Sequence, residues 1–209
     1  MATQRAPVIP ATAAALALLV LAAGLLHGFS EESVRIVVRW TAKIAVILFA
    51  AAFAAGSLRV FWRSEATRSL MLNRRRIGLG FALAHSVHLL ALIVLGLAFP
   101  TPFVDDLNAV TLVGGGLAYA FVLAMAATSN DASVRRLGAR RWRALHAVGG
   151  WYVWLIFTQS YAPRAAADPA YAPFAALLVG VAGLRLARWQ RVRRGAAQGA
   201  PAVPGSPAG

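Results

Sequence analysis

The sequence predicts an all-α fold: a polytopic membrane bundle of six transmembrane helices, with both termini in the cytoplasm. Three observations predict it. The 209 residues are 59% hydrophobic and only 13% charged, with a mean hydropathy of +0.65, more apolar than a soluble domain of this size needs. Apolar runs with the length of a bilayer crossing recur along the chain. Arginines gather in alternate links between those runs.

The expected spans are 10–29, 37–61, 77–99, 109–128, 142–161 and 171–189. Residues 1–9 form a short cytoplasmic N-terminus. The first span is long and lacks a clear small-residue cleavage site before Glu31 and Glu32, which argues against a cleaved signal. The second carries Arg39 and Lys43 in its outer turns and leaves through Ser57, Arg59 and Arg63. The third holds His85 and His88. The fourth holds Gly114, Gly115 and Gly116, which suit close helix approach better than phosphate binding. The fifth is crowded with Trp142, Trp151, Tyr152, Trp154 and Tyr161, read as an interfacial belt or as a wall packing a flat cofactor. Gly149 and Gly150 there would admit a macrocycle or a neighbouring helix. The sixth ends in a basic tail, and 191–209 reads as disordered, basic at first and then rich in Gly, Ala and Pro.

Charge orients this bundle. The link after the second span carries Arg63, Arg68, Arg74, Arg75 and Arg76, and the link after the fourth carries Arg135, Arg136, Arg140, Arg141 and Arg143. The remaining links carry Glu31 and Glu32, Asp105 and Asp106, or Arg164 with Asp168. The positive-inside rule puts the basic links and both ends in the cytoplasm of a bacterial-type inner membrane.

Several functions are excluded. The chain has no cysteine, so disulfides, thiolate ligands and cysteine-ligated clusters are out. The net charge of +14 sits at the ends of apolar runs, so lipid is the expected partner and nucleic acid is not. No GxGxxG follows a strand, so neither a flavin nor a nicotinamide domain is encoded. A proton-coupled transporter would want buried carboxylates and repeated halves; the seven acidic residues lie in links or at span ends.

Four histidines carry the chemistry: His27, His85, His88 and His146. His27 lies near the outer end of the first span and reads as a surface residue. An imidazole at bilayer depth needs an inward partner, and intramembrane histidine is a common holder of haem iron. His85 and His88 are three apart and share a helix face. Each intramembrane histidine also has a plain reading, a hydrogen bond to a neighbouring helix.

The segment Arg74-Arg75-Arg76-Ile77-Gly78-Leu79 followed by His88 resembles the RRxLGL…LH opening of the third helix in the ferric-reductase-like transmembrane superfamily. That superfamily includes the haem-binding membrane subunit of the bacterial methionine sulfoxide reductase system. A second stretch, Arg135-Arg136-Leu137-Gly138 and then Arg141-Trp142-Arg143-Ala144-Leu145-His146, resembles the RRLGxxWxxLH entry to the fifth helix. The two occur in the right order on the right spans, and the likeness covers most of residues 35–190. It implies b-type haem between the third and fifth helices and electrons crossing the membrane. By position His88 is the third-helix ligand and His146 the first fifth-helix histidine. The second fifth-helix histidine, thirteen residues on, is Gln159 here.

Depth bears on that departure. At about 1.5 Å per residue, His88 lies about 18 Å beyond Arg76, and His85 about 13 Å. His146 lies about 5 Å beyond Arg143, and Gln159 about 24 Å. Position 159 therefore suits His88, and a His146 partnership with either third-helix histidine is strained. Thirteen residues also place 146 and 159 well off one helix face. Three outcomes stay open: haem on a third-helix histidine with Gln159 hydrogen-bonding nearby, haem on His85 or His88 with His146 if the helices tilt, or no haem. Bound haem is the favoured one. Arg39 and Lys43 either snorkel to the outer interface or pair with haem propionates.

The expected function is transfer of electrons to an outer-side acceptor, from a quinol or a redox partner protein such as a flavoprotein. The contrasting expectation is a haem-free scaffold or assembly partner of the same fold.

Overall fold

The computed structural model describes residues 6–100 and 109–198. Among them are seven α-helices and no strand. They are α1 (Val8–His27), α2 (Glu31–Phe61), α3 (Glu65–Ala98), α4 (Ala109–Ala127), α5 (Asp131–Leu137), α6 (Ala139–Ala167) and α7 (Ala172–Gln198), with a 3-10 turn, Pro169–Tyr171, ahead of α7.

Local chemistry sets the helix starts. Ser30 and Ser33 form a reciprocal capping box at α2, and Ser64 and Thr67 form another at α3. These caps launch both helices in polar flanks, so α2 and α3 begin well before the expected apolar starts at 37 and 77. Asn130 Oδ1 accepts from Ser133 N at 2.7 Å and caps α5. Gly28 and Gly138 close α1 and α5 with φ of 61° and 75°, a region that disfavours a side chain.

The C-terminal end differs from expectation. Residues 191–198 continue α7 as helix, because Arg, Ala, Val and Gln sustain a helix that has already been nucleated. The rest of the expected tail, residues 1–5 and the link holding Asp105 and Asp106 lie outside the described residues.

Four helical segments are long and apolar enough to cross a membrane: α1, α2, α3 and Pro169–Arg194. Leu112–Ala127 with Asp131–Leu137 passes as a bent pair, α5 turning from α4 by 104°. α6 is 29 residues long, but arginines at its start and its Trp, Tyr, Gln and Ser content leave it less apolar. Leu25, Leu26 and Leu97 are 86%, 78% and 81% exposed, a surface that suits lipid rather than water. Hydroxyls inside the helices turn to the carbonyl one turn back, as Thr12 to Val8, Ser86 to Ala82 and Thr158 to Trp154.

α2 runs through the centre, against α1, α3 and α7, while α6 packs between α4 and α7. The core is a cluster of rings. Phe49 lies 5.1 Å from Phe53, 5.4 Å from Phe81 and 5.4 Å from Phe157 by ring centroid, tying α2 to α3 and α6. Gly149 and Gly150 serve helix packing: a Cβ at Gly149 would lie 3.0 Å from Met125 Sδ, and one at Gly150 would lie 3.5 Å from Phe53. Of the glycine triplet only Gly114 is crowded, with Ile156 3.2 Å from its would-be Cβ.

One exposed ion pair joins α3 to α5, Arg75 Nη1 to Asp131 Oδ1 at 3.1 Å. Such pairs contribute little. Asp131→Asn is expected to change the unfolding free energy in detergent by less than about 0.5 kcal/mol. A larger loss in thermal unfolding would mean that Arg75 organises more than this contact.

Candidate functional site

The arginine-bearing ends of the helices meet around one cavity of about 580 Å³. Every helix except α1 contributes a wall. Phe49, Phe53, Phe81, Val122 and Met125 give it an apolar interior. Arg74, Arg75, Arg143, Arg185 and Arg188 give it cations, against the single carboxylate of Asp131, which is already bridged to Arg75. His146 opens onto the same cavity.

The side chains are held firmly. Arg74 Nε donates to the Ala52 carbonyl at 2.9 Å, and Arg185 Nη1 donates to the Phe53 carbonyl at 3.2 Å. The Arg185 guanidinium also lies 4.0 Å from the Phe53 ring centroid. His146 is half-buried, with its ring 4.1 Å from Trp142. Its Nε2 is 3.3 Å from Thr128 Oγ1, whose own proton goes to the Ala124 carbonyl at 2.7 Å. Thr128 therefore accepts from Nε2, and the lone pair of His146 falls on Nδ1.

His85 and His88 form a second station, nearer the acidic end of α2. They are not walls of the cavity, although Phe81, which is one, lies 5.5 Å from His85 by ring centroid. His85 and His88 stack at 5.6 Å and 16°, and Tyr119 stacks on His85 at 4.4 Å. His88 Nδ1 lies 3.0 Å from the Val38 carbonyl and 3.2 Å from Thr41 Oγ1. A carbonyl only accepts, so the proton sits on Nδ1 and the lone pair on Nε2. His85 Nδ1 and Tyr119 Oη are buried without a hydrogen-bond partner among the described residues.

The structure thus separates His146 from the His85–His88 pair. The residue of α6 that touches His85 is Phe157, at 5.6 Å by ring centroid, while Gln159 is exposed. Among the described residues no group of three or more His, Asp or Glu converges to hold a metal ion.

The other expected residues stand elsewhere. Arg39 is exposed. Lys43 Nζ lies over three rings, Trp40 at 4.8 Å, Tyr171 at 5.2 Å and Phe174 at 5.7 Å. His27 is exposed, 3.7 Å from Glu32. The aromatic residues of α6 turn inward to carbonyls: Trp142 Nε1 to Thr128, Tyr152 Oη to Gly114 and Trp154 Nε1 to Leu178. Sequence reasoning missed Arg185, although a cation inside an expected span was the available signal.

Comparison with known protein families, with curated proteins and with solved structures gives no match.

Proposed function

We propose that the chain is a membrane electron-transfer protein holding b-type haem in the arginine-rimmed cavity. The observation that carries this is the joining, in one space of about 580 Å³, of an imidazole, apolar aromatic walls and several arginines that, Arg75 apart, meet no carboxylate among the described residues. That donor set fits a flat apolar ring bearing carboxylates. His146 would supply the nitrogen that holds the iron, Arg74, Arg143 and Arg185 would meet the carboxylates, and Phe49, Phe53 and Phe81 would pack against the macrocycle. When bound, haem supplies a one-electron iron centre. The chain's residues give it an apolar floor of Phe49, Phe53 and Phe81, fix the imidazole through Thr128, and place Phe81 between the cavity and the stacked His85 and His88. Those two histidines, stacked at 5.6 Å, mark where charge would leave the cavity for the opposite face.

This reading keeps the b-type haem that the resemblance to the ferric-reductase-like superfamily implies, but moves its holder from His88, which does not line the cavity, to His146; it goes with six spans carrying both termini in the cytoplasm of an inner membrane. The convergence of basic helix ends supports that orientation. The donor would be a quinol or a flavoprotein, the acceptor a partner on the outer side. One observation favours a haem-free scaffold instead: Phe157, not a histidine, touches His85, and Gln159 faces outward.

A dithionite-reduced minus oxidised spectrum of the purified protein from haem-replete cells separates the two. A b-type band is expected, and Gln159→Ala, altering an exposed residue, should leave it unchanged. No band in the wild type would sink the haem reading and leave the scaffold.

A further inference from the structure

A second concavity, a groove of about 510 Å³, lies between α2, the middle of α6 and α7. It shares Arg185 and Arg188 with the haem cavity but opens past Ser57, Leu186, Trp189 and Val192. Three features make it a built site. Ser57 is 1% exposed, and its Oγ has no hydrogen-bond partner among the described residues, a costly state for a buried hydroxyl. Neither Arg185 nor Arg188 meets a carboxylate among the described residues. The neighbouring Gly56 has no side chain where one would collide with Arg188, since a Cβ there would lie 2.6 Å from Nη1. The guanidinium is thereby admitted against α2, one residue from Ser57.

The outer lip is apolar. Leu186, Trp189 and Val192 recur every third residue along α7 and are 52%, 56% and 59% exposed. Cations, a buried hydroxyl donor and an apolar strip at a bundle end match a molecule with a phosphate head and hydrocarbon tails. We infer that this groove binds the phosphodiester headgroup of an anionic glycerophospholipid, Arg188 and Ser57 holding the phosphate while the acyl chains lie along Leu186, Trp189 and Val192. Basic pockets between membrane helices take anionic headgroups in this way. The inference stands whether or not haem is bound.

Native mass spectrometry of the full chain in neutral detergent tests it, with phosphatidylglycerol or phosphatidylcholine added in turn. One phosphatidylglycerol should be retained at least about tenfold more strongly than phosphatidylcholine. Ser57→Ala should weaken its retention about fivefold, and Arg188→Gln more. Ser57 is not a wall of the haem cavity, so the absorption band of Ser57→Ala should equal that of the wild type. Equal retention of the two lipids, or wild-type retention by the Ser57→Ala/Arg188→Gln double variant, would overturn the inference. Displacement of the lipid by millimolar inorganic phosphate would overturn it too, marking the groove as a site for free phosphate.

Discussion

Replacing His146 by alanine is expected to abolish the b-type band while leaving the bundle folded. His146 is the only histidine on the walls of the arginine-rimmed cavity. Its removal takes away the one imidazole there and none of the apolar packing that holds α6 against α4. The structural cost is one hydrogen bond to Thr128 and one ring contact with Trp142, about 1 kcal/mol. Far-ultraviolet circular dichroism should therefore match the wild type. His146→Gly with added imidazole should recover part of the band, which a merely structural role would not allow. A full band in His146→Ala would move the iron to His85 or His88, and His88→Ala would then be the variant that loses it.

The largest loss of stability is expected from Phe49→Ala. Phe49 is 4% exposed and touches Phe53, Phe81 and Phe157, so one ring links α2 to both α3 and α6. In lipid the helices gain little from hydrophobic association, so packing contacts of this kind hold them together. Deleting the ring removes its dispersion contacts and leaves a void that backbone-bonded helices cannot collapse to fill. The cost is about 3 kcal/mol or more, measurable as a shift of the unfolding midpoint in mixed micelles. Phe49→Leu should recover most of it. A Phe49→Ala protein as stable as the wild type would show that the ring cluster does not bind the helices.

The length of the apolar runs carried much of the helical architecture. Each apolar run falls on a long helix among the described residues, four of them long and apolar enough to cross a membrane, since backbone groups in an apolar setting must be paired within the helix. Their polar extensions were less visible, because Ser30 and Ser64 had to be recognised as caps. For the site, distance along the helix made a His146 partnership with His85 or His88 strained without closing it; in the structure His146 lines the cavity and the other two do not. The thirteen-residue step also implied that 146 and 159 face differently, and Gln159 is indeed exposed while His146 lines a cavity. The partners were not legible. That Phe157 meets His85, that Lys43 sits over three rings, and that Arg185 reaches the Phe53 carbonyl across 132 residues are consequences of how distant helices dock. No local pattern encodes such pairings.

The last helix closes the cavity, and this bears on assembly. Arg74 and Arg185 grip successive carbonyls of α2, one from the next helix in the chain and one from the final helix. Until α7 emerges and docks, the Phe53 carbonyl lacks its guanidinium and the cavity lacks a side. Whatever fills that space meets Arg185 and Arg188 only once α7 has docked. Synthesis order thus completes the walls of this space only when α7 is in place, so the early helices alone do not form it.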